Sequence, residues 1–140
     1  MAEQYTLPRI QCINLEEDTF CYRSVGNGTA VILLHAGIAD SRMWWPQYSS
    51  LSERFMIVTP DLPGYGSSAV LKKANSYSDL LHQLLNELQI SRGWFVGVSF
   101  GSRILLDYYQ AYRNEVEGMI IVSPLLDKYA ETEEINTFAE

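Results

Sequence analysis

The residues best suited to covalent chemistry form the run Gly97-Val98-Ser99-Phe100-Gly101. An apolar stretch, residues 94–96, precedes this run, and a helix-like stretch begins at Ser102. A serine hydroxyl attacks a carbonyl carbon well only when a sharp turn holds it clear of a sheet, near a base and hydrogen-bond donors. Glycines two positions before and after the serine let strand and helix approach closely. The pattern predicts Ser99 as a nucleophile; the alternative is a strand–helix turn whose serine only caps the helix.

The elements that would hold Ser99 in place alternate between strand and helix. Apolar, strand-like runs occur near residues 9–14, 19–25, 30–35, 55–59, 93–98 and 119–122. Helix-like stretches begin at Asp40 or Ser41, at Ser76 and at Ser102. The helix from Ser76 carries one apolar stripe, formed by Tyr77, Leu80, Leu81, Leu84, Leu85 and Leu88. This alternation predicts an α/β fold, a mostly parallel sheet with helices on both faces, in a single partial domain over residues 1–140.

Two further motifs occupy the loops that follow predicted strands. The apolar run from Val31 ends in His35-Ala36-Gly37-Ile38, and Asp61-Leu-Pro-Gly-Tyr-Gly-Ser-Ser68 follows the next strand. Together with the serine motif, in this order, they make residues 5–126 resemble the α/β-hydrolase fold family, and most closely its esterase, peroxidase and C–C hydrolase-like members. Those members carry His-Gly-x after the third strand and Asp-x-x-Gly-x-Gly-x-Ser after the fourth.

Two backbone amides are the predicted donors of an oxyanion hole. The Phe100 amide follows the nucleophile and opens a helix, so it points at charge that develops on the substrate. The family pattern implies that the second donor is the Gly37 amide, with Ile38 as the alternative. Ala36 stands where the family usually has glycine, which requires a negative φ at this alanine.

The resemblance also assigns supporting roles. It implies that His35 supports the oxyanion loop and is not the catalytic base. Asp61, at the end of a strand, is predicted to accept hydrogen bonds from loop amides. Ser102 replaces a second glycine that is common after the serine motif, a small change that preserves the geometry. Trp44 and Phe100 are candidates for the wall of a substrate cleft.

The rest of a catalytic triad is missing from the sequence. In this fold the triad follows the order serine, acid, histidine, and no histidine follows Ser99. Asp127 is a candidate acid, because some family members carry their acid after the corresponding strand. The chain therefore resembles the N-terminal half of a hydrolase, truncated before the lid and the last strands.

Three functions remain open at this point. The chain can be the N-terminal portion of a serine hydrolase that acts by acyl transfer on an ester, thioester, lactone or C–C bond of a small-molecule substrate. It can be a non-catalytic small-molecule-binding module of the same fold, or a half-enzyme that a second chain completes. Because the base is missing, the isolated 140 residues are predicted to be inactive.

Composition excludes several other classes. The net charge of −7 and the lack of a basic cluster argue against a nucleic-acid partner or an anionic membrane surface. No apolar run approaches the roughly 20 residues that cross a bilayer. The N-terminus does not resemble a signal peptide, so a cytoplasmic location is expected. There is no phosphate-binding glycine motif and no metal-ligand spacing, so no cofactor or metal is expected.

The two cysteines, Cys12 and Cys21, fall on neighbouring strand-like segments and could face each other. In a reducing compartment they are expected to be free, buried thiols.

The isolated chain is predicted to self-associate or to be marginally stable. Strand 119–122 would form a sheet edge, and exposed apolar edges favour association. Analytical ultracentrifugation combined with thermal melting tests this. A monomer with a cooperative melt would contradict the prediction.

Overall fold

One six-stranded sheet organises the described part of the chain in the computed structural model, which covers residues 6–15, 18–70 and 76–124. The strands are β1 (Gln11–Leu15), β2 (Asp18–Val25), β3 (Thr29–Leu34), β4 (Phe55–Pro60), β5 (Gly93–Val98) and β6 (Val116–Val122). Their order across the sheet is β1-β2-β4-β3-β5-β6. Strands β1 and β2 pair antiparallel with each other, as do β2 and β4, and the other pairs are parallel. The predicted mostly parallel sheet is confirmed.

The helices begin close to their predicted capping residues. They are α1 (Trp45–Leu51), α2 (Tyr77–Glu87) and α3 (Phe100–Tyr112), and one-turn 3-10 segments cover Ser41–Trp44 and Arg113–Glu115. Asp40 caps the first 3-10 turn through the Arg42 amide, and Ser76 caps α2 through the Asp79 amide. Helix α3 begins two residues before the predicted start, because the sharp turn at Ser99 ends β5 at once and leaves Phe100 as the first helical residue.

Strand β6 also begins earlier than predicted, at Val116 and not at residue 119. Glu117 and Gly118 interrupt the apolar run, so the sequence pattern hides this part of the strand. Backbone pairing with β5 extends the strand, since Val116 lies opposite Gly93.

Helices cover both faces of the sheet, as predicted. On one face, Ile32 and Leu34 of β3 belong to a core cluster with the leucines of α2 and with Ile104, Leu105 and Tyr108 of α3. On the other face, Val31 and Leu33 pack with Ile57, Trp44 and Tyr48. Alternate β3 side chains point to opposite faces, which places this strand at the centre of the molecule. None of the helices in the described ranges is long and apolar enough to cross a membrane.

Polar and aromatic contacts attach the C-terminal end of α3 to α2. The Tyr112 hydroxyl donates to Asp79 Oδ1 at 2.5 Å, and this hydrogen bond raises the pKa of Tyr112 to about 12. The His82 ring stacks on Tyr112 with centroids 4.0 Å apart, and its Nδ1 lies 2.7 Å from Glu115 Oε1. Helix α3, which begins at the serine motif, is thus anchored at its other end.

The expectation of free cysteines is wrong in this structure, because Cys12 and Cys21 form a disulfide. The β1–β2 register places the two residues directly opposite each other, with Cα atoms 4.0 Å apart. Sequence spacing indicated that they could face each other. The expected redox compartment favoured thiols, but the strand register decides the pairing.

Candidate active site

Ser99 lies at the turn from β5 into α3 in a strained backbone conformation. Its φ is 54° and its ψ is −112°, a region that residues other than glycine rarely occupy. Ser99 holds the N-cap position of α3, yet its side chain makes no capping hydrogen bond. The alternative, in which the Ser99 side chain only caps the helix, is therefore not what the structure shows. The Ser99 hydroxyl makes no capping hydrogen bond to α3.

The two glycines of the motif are needed because backbone passes close to both. A Cβ built on Gly97 would lie 2.7 Å from the Ser102 nitrogen. A Cβ on Gly101 would overlap the Leu34 carbonyl oxygen and lie 2.8 Å from the His35 carbonyl oxygen. Strand and helix thus approach as closely as the sequence pattern predicts.

Ser102 ties the serine turn to the neighbouring strand. Its fully buried hydroxyl lies 2.6 Å from the Gly97 carbonyl oxygen and accepts a hydrogen bond from the Val122 amide at 3.2 Å. The Ser99 amide donates to the Val122 carbonyl at 2.9 Å. Hydrogen bonds from β6 therefore hold the strained turn. The sequence suggested that Ser102 is a neutral replacement for glycine, but its hydroxyl bonds both β5 and β6.

His35 is bonded at both ring nitrogens. Its Nε2 accepts a hydrogen bond from the Leu62 amide at 2.9 Å. An amide can only donate, so the imidazole is neutral and its proton is on Nδ1, which donates to the Ala36 carbonyl at 2.8 Å. The ring therefore links the loop after β3 to the loop after β4, which agrees with a supporting role and leaves no nitrogen to act as a base.

This bonding predicts a pH-dependent stability. Burial lowers the pKa of His35 below its ordinary value of 6.5. As the pH falls through about 6.5, the unfolded chain binds a proton that the folded chain does not. The contribution of His35 to the free energy of unfolding is therefore fully present above pH 6.5 and is lost as the pH falls below that value. One proton of difference sets an upper limit of about 1.4 kcal/mol per pH unit on the contribution of His35 to the slope of stability against pH.

Urea unfolding at several pH values between 7.5 and 5.5, with His35→Gln as the comparison, measures this slope. Glutamine keeps one donor and one acceptor but does not titrate, so its slope should be smaller. Equal slopes in both proteins would contradict the assignment to His35.

Asp61 organises the loop after β4, as predicted. Its buried carboxylate accepts hydrogen bonds from the Ser41 amide at 2.8 Å and from the Ser67 amide at 3.0 Å. Gly66 has a φ of 51°, and a Cβ there would overlap this carboxylate. The Ser68 hydroxyl donates to the Asp61 carbonyl at 2.6 Å. The motif Asp61–Ser68 thus forms a loop that is held by its own hydrogen bonds and that also bonds the segment after β3.

A cleft of about 550 Å³ opens beside Ser99. It is lined by Ala36, Gly37, Ile38, Tyr65, Val98, Ser99 and Phe100. A Cβ on Gly37 would lie 3.3 Å from Phe100 Cβ, so the two loops expected to supply the oxyanion donors meet at this cleft. Ala36 is not among the residues with a positive φ. This meets the requirement that the alanine in this loop has a negative φ.

The structure thus brings together three of the four predicted site residues, Ser99, Gly37 and Phe100. The fourth, Asp127, lies outside the described residues. Trp44 is buried in the core beside Tyr48 and does not line the cleft, whereas Phe100 does.

Tyr65 is a cleft residue that sequence reasoning missed. Its hydroxyl would lie 3.4 Å from a Cβ on Gly37, and its ring packs edge-on against His35 with centroids 5.1 Å apart. The available signal was its position between Gly64 and Gly66, whose positive φ angles turn the loop back toward the sheet.

The described residues do not provide a base for Ser99. His35 is bonded at both nitrogens, and His82 contacts Tyr112 at the opposite end of α3. A serine hydroxyl without a base is a poor nucleophile at neutral pH. The arrangement therefore places Ser99, Gly37 and Phe100 at one cleft, without a histidine among the described residues that could accept the serine proton.

Comparison with known proteins agrees with this geometry. Residues 29–140 match the family model described as alpha/beta hydrolase fold. The chain belongs to the alpha/beta hydrolase fold family. Its relatives include an uncharacterised protein of Mycobacterium tuberculosis, 33% identical over 106 residues, which cover 73% of this chain and 31% of the relative.

Two proteins whose names give an activity are also similar to this chain. The 3-oxoadipate enol-lactonase 1 of Acinetobacter baylyi is 33% identical over 92 residues, which cover 62% of this chain and 34% of the lactonase. The solved structure of a thermophilic esterase from Thermogutta terrifontis has a TM-score of 0.72 at 25% identity, over 78% of this chain and 44% of the esterase. This chain spans about a third of the curated relatives that it matches.

The strand order explains why the Ser99 turn and the Gly37 loop, which belong to separate motifs, meet at one cleft. Strands β3 and β5 are parallel neighbours, with Leu34 opposite Gly97. Loops that follow the carboxyl ends of adjacent parallel strands meet at the same edge of the sheet. Gly37 and Ser99 are therefore brought to one cleft although 62 positions separate them in the sequence.

Proposed function

We propose that this chain is the nucleophile-bearing portion of a serine hydrolase that acts by acyl transfer on a small molecule. The proposal rests on the conformation and surroundings of Ser99. Its backbone is held in a strained turn, and its hydroxyl makes no capping bond and borders an open cleft. Structural strain of this kind persists only where surrounding contacts enforce it, and it is concentrated at functional sites.

The reaction would begin when Ser99 Oγ attacks the substrate carbonyl carbon. The hydroxyl proton passes to a histidine, which this sequence lacks after Ser99. The carbonyl oxygen becomes an oxyanion, to which the Gly37 and Phe100 amides would donate. The leaving group departs with the transferred proton, and water then cleaves the acyl-serine by the reverse sequence of proton transfers.

The cleft and the relatives favour carboxylic esters and lactones. The cleft is lined mainly by backbone and by apolar or aromatic side chains, among them Ile38, Val98 and Phe100. The similar proteins from Acinetobacter baylyi and Thermogutta terrifontis are described as an enol-lactonase and an esterase. Thioesters and C–C bonds beside a ketone follow the same acyl-transfer chemistry and belong in the substrate screen.

The test is ester hydrolysis by the protein translated from the whole reading frame that contains these codons, beside the 140-residue chain. With p-nitrophenyl acetate, the complete protein should turn over, and Ser99→Ala should lower kcat/KM at least about 10³-fold. The 140-residue chain alone should show negligible turnover. Full activity in Ser99→Ala would overturn the assignment, and Ser99-dependent turnover by the short chain would require a base within it.

A further inference from the structure

The Cys12–Cys21 disulfide joins an exposed position to a buried one. Cys12 is exposed on β1, which pairs only with β2 among the described strands, whereas Cys21 on β2 has no exposed surface. A thiol in solution can therefore reach the Cys12 side of the disulfide. The cross-strand register Cys12↔Cys21 keeps the two residues opposite each other, so re-closure is an intramolecular reaction.

The backbone of Cys21 binds the loop that follows β4. Its amide donates to the Ser68 hydroxyl at 2.8 Å, and its carbonyl accepts from the Asp61 amide at 2.8 Å. Further back along β2, the Thr19 carbonyl accepts from the Ala69 amide at 3.0 Å. The two ends of the loop, residues 61–69, are thus held by the part of β2 that carries the disulfide.

An acceptor for a reduced thiol is already in place. Cys21 Sγ lies 3.1 Å from the Ser67 carbonyl oxygen. In the disulfide this is a contact without a proton, but a Cys21 thiol could donate a weak hydrogen bond there. Reduction would therefore create a new bond between β2 and the 61–69 loop while it removes the covalent link between β1 and β2, which stay paired through their backbones.

We propose that Cys12–Cys21 is a thiol–disulfide exchange site for low-molecular-weight thiols, and that its state is transmitted to the 61–69 loop. That loop carries Tyr65, which lines the cleft, and Asp61, which holds the Ser41 amide. The proposal rests on the strand register, on burial and on the Cys21 hydrogen bonds, and it does not depend on acyl transfer.

The exchange balances with two molecules of thiol. A thiolate attacks Cys12 Sγ, forms a mixed disulfide there and expels Cys21 as a thiolate, which takes a proton from solvent. A second thiolate attacks the sulfur of the bound small thiol, releases the Cys12 thiolate and leaves as the oxidised small-molecule disulfide. The protein gains two electrons and two protons, and two thiols are oxidised.

The first experiment measures exchange under native conditions. The 140-residue chain is equilibrated with glutathione mixtures from mostly oxidised to mostly reduced, quenched in acid, alkylated and weighed by mass spectrometry. The disulfide should open within this series while circular dichroism stays native. Brief native alkylation of the reduced chain should modify Cys12 at least about tenfold faster than Cys21, because only Cys12 is exposed. A disulfide that opens only when the chain unfolds would overturn the proposal.

The second experiment tests whether reduction of the disulfide changes the hydrogen exchange of the 61–69 loop. Hydrogen exchange by mass spectrometry compares the oxidised chain, the reduced chain and Cys12→Ser, which leaves the Cys21 thiol in place. Peptides covering residues 61–69 should change exchange rate by about threefold or more on reduction, alongside those of β1. Cys12→Ser should resemble the reduced chain, and the reduced wild-type chain gives the same comparison if that variant does not fold. A change confined to β1 and β2 would overturn the transmission to the loop.

Discussion

Ser99→Cys should convert the 140-residue chain into a protein that an activated ester acylates once, with a burst of about one equivalent of p-nitrophenol. A thiol needs no separate base, because part of it is ionised near neutral pH and the thiolate is the nucleophile. At the start of α3 the helix N-terminus lowers a thiol pKa further. The Gly37 and Phe100 loops border the same cleft, and their amides are the proposed donors to the oxyanion.

A matched control is Ser50→Cys, which places a thiol on an exposed part of α1 away from the cleft. Because Cys12 and Cys21 are paired, each variant carries one free thiol under non-reducing conditions. The Ser99→Cys variant should be acylated at least about tenfold faster than the Ser50→Cys variant, since one oxyanion-hole donor alone contributes about 10²–10³ in rate. Intact mass confirms one acyl group. Equal rates in both variants would show that the cleft does not act on the ester carbonyl.

The sequence was sufficient to predict the Ser99 turn because the spacing of its two glycines is a local signal. The contacts behind that spacing are only partly local: Gly97 is approached by the Ser102 backbone, whereas Gly101 is approached by the Leu34 and His35 carbonyls at the end of β3. The apolar stripe of α2 likewise predicted its buried leucines, since a helix and its buried face follow from spacing alone. The Asp61 loop was predictable for the same reason: its carboxylate bonds an amide only six residues away.

Other features depend on contacts that spacing does not encode. Ser102 looked like a replacement for glycine, but its hydroxyl bonds Val122, twenty positions away on a neighbouring strand. The disulfide depends on the β1–β2 register, which a single residue of slip would change. Tyr65 reaches the cleft only because two glycines with positive φ turn its loop. Each of these follows from the assembled sheet and not from its separate elements.

The strained turn at Ser99 is surrounded by polar side chains that bond neighbouring segments. His35 binds the Leu62 amide, Asp61 binds the Ser41 amide, and Ser102 binds Val122. The first two bonds both join the loop after β3 to the loop after β4, and the third joins the start of α3 to β6. The Gly37 loop and the Ser99 turn are thus each held by neighbouring elements, and they meet where Gly37 approaches Phe100. Fixed loops are what the proposed oxyanion site requires, since donors must be in place before charge develops.

Gly101→Ala should be the most destabilising single-methyl change in the serine motif, at about 3 kcal/mol or more. The added Cβ would overlap the Leu34 carbonyl oxygen and lie 2.8 Å from that of His35. Both carbonyls belong to the end of β3, at the centre of the sheet, so neither α3 nor the strand can move without breaking other contacts. Urea unfolding followed by tryptophan fluorescence measures the loss.

Gly64→Ala separates collision from backbone strain. Gly64 has a φ of +87°, but the nearest atom to an added Cβ is Val70 Cγ2 at 3.8 Å, so alanine there meets strain without overlap. Its cost should be about 1–2 kcal/mol, clearly below that of Gly101→Ala. If the two variants lost equal stability, the close approach of α3 to β3 would not be the reason that the motif needs its second glycine. The larger loss at Gly101 would instead show that helix–strand contact, and not turn geometry alone, holds Ser99 at the cleft.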